Sequence, residues 1–140
     1  MSLREVTQEN VRAVCELRVA ESQRRLVAPA AYTVAEAAYE PDGWLRAIYL
    51  GEEPVGVLFV GLDETPPYLV RFMVDAAHQR RGVGRRAMDM LTGDLRAAGH
   101  TALEVSYVPA DGSAEGFWLH CGFEHTGRTH EGEPVLILDL

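Results

Sequence analysis

A chain of 140 residues is one domain by length, and at that size roughly 68% of the unfolded surface is buried, so no disulfide or metal staple is needed. Its hydrophobic and charged fractions, 47% and 24%, are ordinary for a globular protein, and no apolar run approaches the ~20 residues of a membrane span. The net charge of -8 argues against nucleic acid as a partner and suits a cationic one. The opening Met1-Ser2-Leu3-Arg4-Glu5 lacks the apolar core of a signal peptide, so a cytoplasmic protein is expected. Cys15 and Cys121 read as inert core thiols. The five histidines (His78, His100, His120, His125 and His130) have no zinc-type spacing, and no metal site is expected.

Leu3 to Val6 reads as a short strand. Thr7 reads as the cap of a helix from Glu9 to Leu26, with Val11, Val14, Cys15, Leu17 and Val19 as its apolar positions. Pro29 interrupts. Thr33-Val34-Ala35-Glu36 matches a capping box and predicts a second helix reaching Tyr39. After the turn Pro41-Asp42-Gly43 come three strands in meander order: Trp44–Leu50, Val55–Leu62 and Tyr68–Val74. A helix from Val83 to Ala98 follows, with Val83, Ala87, Met90, Leu91 and Leu95 at helical spacing and Gly99 as its stop. Thr101 to Val108 is a strand with Leu103, Val105 and Tyr107 on one face and Glu104, Ser106 and Val108 on the other. Ser113–His120 reads as a short helix, and Glu124–Thr129 and Val135–Leu140 as two closing strands.

The stretch Gln79-Arg80-Arg81-Gly82-Val83-Gly84 carries the most information. It joins a strand to a helix N-terminus, where unpaired N–H groups and roughly +0.5 charge favour an anion. Glycine permits close backbone approach to a ligand. Arg80, Arg81, Arg85 and Arg86 crowd the same place, four of the 13 basic residues. A phosphate or pyrophosphate site is the simplest reading. Walker A is absent, because the chain has no lysine. Gly82 to Ala87 mimics a GxGxxA dinucleotide fingerprint, but the loop Asp75–Arg81 separates it from its strand. The chain after Gly84 is also too short for that fold, and Glu104 falls inside a strand, not at its end.

The run from Val74 through Gln79-Arg80-Arg81-Gly82-Val83-Gly84 resembles the core motif of the GNAT superfamily of acyl-CoA-dependent N-acyltransferases. Ala114, Phe117-Trp118 and Cys121-Gly122-Phe123 match the end of that family's last helix. Ala38–Gly43, Arg71–Asp75 and Ser106–Pro109 look most like small bacterial spermine/spermidine acetyltransferases. The resemblance covers roughly 68–123 and implies a single domain over 1–140 of mixed α/β (α+β) class. Its sheet would be central and mostly antiparallel, with helices on both faces.

The resemblance further implies acetyl-CoA as co-substrate, wedged between splayed strands, and a small polyamine-like amine as acceptor. It assigns Met73 and Val74 backbone groups to the pantetheine arm, and Gln79 with the backbone of Arg80, Arg81, Gly82, Val83, Gly84 and Arg85 to the pyrophosphate loop. Asp111 stands where the family often has a CoA-contacting asparagine, and a carboxylate there cannot donate. Glu104 and Asp75 are candidate bases. Trp118 replaces the tyrosine that the family commonly uses as acid toward sulfur, and an indole gives up no proton near neutral pH. Tyr107 or His120 is the substitute candidate. Glu36, Glu40, Asp42, Asp63 and Glu64 are candidates for the acceptor side. The alternative is a catalytically weakened acetyl-CoA sensor or partner protein, which only Trp118 supports. A homodimer is what the resemblance suggests for assembly.

Overall fold

The computed structural model describes all 140 residues. Its strands are β1 (Ser2–Glu5), β2 (Gly43–Leu50), β3 (Glu53–Gly61), β4 (Tyr68–Val74), β5 (Ala102–Ser106), β6 (Glu124–His130) and β7 (Glu133–Asp139). Its helices are α1 (Val11–Cys15), α2 (Ala30–Ala37), α3 (Val83–Ala97) and α4 (Glu115–His120). One sheet holds all seven strands in the order β1-β2-β3-β4-β5-β7-β6. Only β4 and β5 run parallel, so the sheet is mixed and mostly antiparallel, as expected. No helix is long and apolar enough to cross a membrane.

Helices cover both faces. On one, Val83, Ala87, Met88, Leu91 and Leu95 of α3 and Trp118 of α4 pack on Leu58, Val60, Leu69, Leu103, Val105 and Leu136 of the sheet. On the other, Val14 and Ala30 from α1 and α2, with Leu17 just beyond α1, cover Ala47, Tyr49, Val57 and Met73. The stripe along α3 falls at intervals of three and four residues, which puts it on one helical face. Gly99, at φ 93, ends the helix, and the His100 N–H reaches back to the Leu95 carbonyl at 3.0 Å. Cys121 is half-buried, and burial pushes its thiol above the usual range, as suits an unreactive cysteine.

Gly93 sits mid-helix in α3, exposed, and a Cβ there meets nothing within 4 Å. Gly93→Ala is therefore expected to stabilise the fold by ~0.5–1 kcal/mol by reducing the freedom of the unfolded chain. A rise in the urea unfolding midpoint checks it.

The first helix is much shorter than its apolar spacing predicts. α1 stops at Cys15 because the chain at Arg18 is drawn to the end of β4. The Arg18 N–H donates to Asp75 Oδ1 at 2.9 Å, and the Ala76 N–H to the Arg18 carbonyl at 2.7 Å. Only a 3-10 turn, Glu21–Gln23, forms beyond. Thr7 is no cap either: its own N–H is bound by Asn10 Oδ1 at 2.7 Å. The capping box at Thr33 is likewise not formed. α2 begins at Ala30 behind Pro29, Thr33 is buried inside it, and Glu36 turns to Arg71 across the sheet at 3.6 Å. β5 ends at Ser106, two residues short of the expected Val108.

Candidate active site

The strands β4 and β5 pair only at Tyr68↔Glu104 and Leu69↔Val105. Beyond these residues they part. β4 stays with β3, and β5 stays with β7, where Ser106 lies opposite Val135. A register shift helps: Phe59 pairs with Arg71 but Val60 with Leu69, so Val70 is an extra residue on β4 and bends that strand. The result is a wedge-shaped gap in the sheet, inside a cleft of about 1220 Å³. This exceeds the upper end of ordinary small-ligand pockets, ~1,000 Å³.

The gap exposes backbone. Asp75 donates to the Val55 carbonyl at 2.7 Å. Alternation along an antiparallel pair then turns the backbone groups of Phe72 and Val74 into the gap. By the same alternation Met73 directs its backbone to β3, and its side chain is buried in the core beneath α1 and α2. Of the two residues expected to meet a pantetheine arm, Val74 presents its backbone to the cleft and Met73 does not. The Val74 carbonyl is already taken, at 2.9 Å, by Gln79 Nε2. That amide also donates to Gln23 Oε1 at 2.7 Å, so the Gln79 side chain ties the loop to the segment after α1.

The loop then turns twice through the left-handed region, at Arg80 (φ 64) and at Gly82 (φ 75). The first backbone acceptor bond of α3 is from the Arg86 N–H to the Gly82 carbonyl at 3.1 Å. The N–H groups of Arg80 through Arg85 have no protein acceptor. This run of donors at a helix N-terminus fits a pyrophosphate. Gly84 leaves little room for a side chain: a Cβ there would sit 3.2 Å from the Phe117 ring, which would have to give way.

The basic side chains divide. Arg80 lines the cleft without an acidic partner. Arg85 lines it too but is engaged by Asp89 and by the His120 carbonyl at 3.0 Å. Arg81 is exposed and off the cleft. Two residues that sequence reasoning missed, Arg24 and Arg25, enter from the segment after α1. Their doublet before Pro29 was the available signal, masked by the expectation of a helix there.

Of the expected catalytic residues, Tyr107 and Trp118 line the cleft and Glu104 does not. Glu104 is buried, does not line the cleft and pairs with Arg128. It is a structural ion pair, so the expected base is occupied. Asp111 lies on an exposed turn outside the lining. Asp75 is held by the Arg18 and Ala77 N–H groups. Trp118 lines the cleft but is 4% exposed and packs edge-on against Phe72, Phe117 and Phe123. Tyr107 lines the cleft, but its hydroxyl donates to Glu115 Oε2 at 2.8 Å. The same carboxylate oxygen holds His125 Nε2 at 2.9 Å. On the acceptor side Glu36 and Glu40 line the cleft, and Asp42, Asp63 and Glu64 do not. Glu131 and Glu133, from the β6–β7 hairpin, join them.

Residues 11–123 match the Acetyltransferase (GNAT) family. The chain belongs to that family. This acetyltransferase therefore uses acetyl-CoA as co-substrate, and the gap and the unpaired amides described above fit that ligand. Its fold is shared with solved structures of low identity. An acetyltransferase from Thermus thermophilus superposes with a TM-score of 0.81 at 21% identity, over 99% of this chain and 96% of that one. The PaiA N-acetyltransferase of Thermoplasma acidophilum, solved with coenzyme A, gives 0.75 at 9% identity over 99% and 98%. The ribosomal-protein-S18-alanine N-acetyltransferase of Escherichia coli gives 0.71 at 17% identity over 99% and 92%.

Two phenols in the acetyltransferase's cleft are held neutral. Burial raises Tyr68 above its usual value, against a hydrogen bond to Ser106 that lowers it. Burial and the Glu115 carboxylate raise Tyr107. The folded state thus binds these protons more tightly than the unfolded chain, whose tyrosines ionise near ~10. Their contribution to stability is complete below that pH and is lost as pH rises through the higher folded values. Urea unfolding of the wild type is expected to show a falling midpoint between about pH 9 and pH 11, and Tyr68→Phe should flatten the fall.

Proposed function

We propose that the enzyme transfers the acetyl group of acetyl-CoA to a primary amine of a small, polyamine-like cation, by direct attack on the thioester. One observation carries this reading: a single cleft is lined by groups of both signs. Arg25 and Arg80 line it together with the glycine loop, whose amides have no protein acceptor. Glu36, Glu40, Glu131 and Glu133 line it as well. The first set suits phosphates and the second a multiply charged amine. Glu36 is partly neutralised by Arg71, which leaves the other three carboxylates as the main attraction. The Phe72 and Val74 backbone beside the gap supplies a donor for the oxyanion. A thiol with a pKa of about 8.5 leaves without a dedicated acid, so Trp118 is compatible with turnover.

The test is CoA release with a panel of amines. Spermidine is expected to exceed butylamine in kcat/KM by about tenfold at low salt, and the gap should narrow as salt screens the carboxylates. Equal kcat/KM for spermidine and the singly charged butylamine would overturn the polyamine reading. Acetyl-CoA binding with no turnover on any amine would favour the sensor. A homodimer, if formed through an exposed sheet edge, would use β1 or β6.

A further inference from the structure

We propose that Tyr68, Ser106 and Glu133 form a proton relay that takes one proton from the acceptor ammonium before it attacks. The proposal rests on the amine-acetylation reading above. Three strands meet to build it. Tyr68 and Ser106 flank the last paired residues of β4 and β5, at the point where the gap opens. Glu133 opens β7, the other neighbour of β5. All three side chains line the cleft.

The direction of the chain follows from valence. Ser106 Oγ lies 2.9 Å from Glu133 Oε1. A carboxylate only accepts, so the single Ser106 proton is given to Glu133. Tyr68 is hydrogen-bonded to the same Ser106 oxygen and must be its donor. Every proton in the chain therefore points toward the carboxylate. The Tyr68 oxygen keeps lone pairs free to accept from an ammonium N–H. Its neutral phenol, favoured by burial, suits a conduit and not a base.

The surroundings leave Glu133 as the acceptor of the proton. Glu104, on β5 beside Tyr68, is neutralised by Arg128 of β6. Glu64, in the loop before β4, acts on Tyr68 through charge but does not line the cleft. His130 of β6 stands with its ring 5.9 Å from that of Tyr68, and Glu131 lies beside it on the hairpin. The ammonium gives one proton to the Tyr68 oxygen. Tyr68 passes its own proton to Ser106, and Ser106 passes its own to Glu133, which becomes neutral and later returns the proton to water. The neutral nitrogen then forms the C–N bond. The C–S bond breaks, and the nitrogen's second proton leaves with the sulfur as the CoA thiol. Glu133 and Ser106 act through Tyr68 and are positioning residues. Tyr68 alone touches the acceptor.

The test is kcat/KM for spermidine from pH 6 to pH 10 in wild type, Tyr68→Phe, Ser106→Ala and Glu133→Gln, with acetyl-CoA affinity measured on each. Each variant is expected to lose about a hundredfold at pH 7 with unchanged acetyl-CoA affinity. The Tyr68→Phe/Glu133→Gln pair should lose no more than either single change, because the groups act as one unit. The rising limb of the pH profile should move up to the free amine's own pKa. An aromatic amine, already neutral at pH 7, should lose far less, and Glu133→Asp should recover part of the rate. Raised spermidine KM with unchanged kcat and pH profile would overturn the relay and leave Glu133 a binding charge. If spermidine fails but butylamine is acetylated, the polyamine reading falls and the relay is judged by the same ratios on butylamine.

Discussion

Gly82→Val is expected to weaken acetyl-CoA binding by roughly a hundredfold or more, with the fold retained. Gly82 is the residue before α3, at φ 75, and a Cβ there meets nothing within 4 Å. Space is not the obstacle; the backbone angle is. A left-handed conformation costs an L-residue about 1–2 kcal/mol, and a β-branched one more. Valine would leave that region and turn the neighbouring peptides. The N–H groups of Arg80 through Arg85, which point to no protein acceptor, would no longer converge. Each hydrogen bond to a charged group is worth about 1.5–3 kcal/mol, so misdirecting two exceeds a factor of a hundred. Gly82→Asn should fall between, because asparagine tolerates left-handed backbone better. Calorimetric titration with acetyl-CoA, alongside circular dichroism, decides it. Unchanged affinity for the valine variant would show that the loop amides do not hold the cofactor.

The largest stability effect is expected at Trp118. Its side chain is nearly sealed among Phe72, Phe117 and Phe123, under the first turn of α3. Trp118→Ala removes a large apolar volume that the rigid sheet cannot close. A loss of ~3–5 kcal/mol follows, read from urea unfolding. Trp118→Tyr should cost much less, because the ring still fills most of the space. The hydroxyl would join an aromatic corner that lines the cleft, where the thiol already leaves without a dedicated acid, so turnover should stay within about tenfold of wild type. A larger rise would mean that the enzyme lacks an acid at this position. A small loss for the alanine variant would mean that α4 repacks and that Trp118 is not the keystone of this corner.

Much of the site was legible in the chain because it is built from consecutive residues. Gly82 has a left-handed backbone and Gly84 packs tightly against Phe117, and both belong to the junction of a single loop with its helix. The alternation at Leu103, Val105 and Tyr107 is also seen, since successive side chains of a strand point to opposite faces and these three meet the core beneath α3. The failures share another cause. The α1 segment carries helical apolar spacing past Cys15, but bonds from Arg18 to Asp75 and Ala76 outcompete the helix. Thr33 and Glu36 have capping-box spacing, yet Pro29 starts the helix earlier and Arg71 claims the carboxylate.

The sequence by itself determined the strand–loop–helix with its glycines and arginines, the order of most elements and the family membership those motifs imply, because each depends on local spacing and backbone permission. Only the tertiary structure decided which charges are available for chemistry. Glu104 and Glu133 are both glutamates near the gap, and nothing local to either separates them. The hairpin of β6 and β7 puts Arg128 against the first and carries the second to Ser106 of β5. A carboxylate's role is set by the partners that reach it in space, and those partners here come from strands distant in the chain.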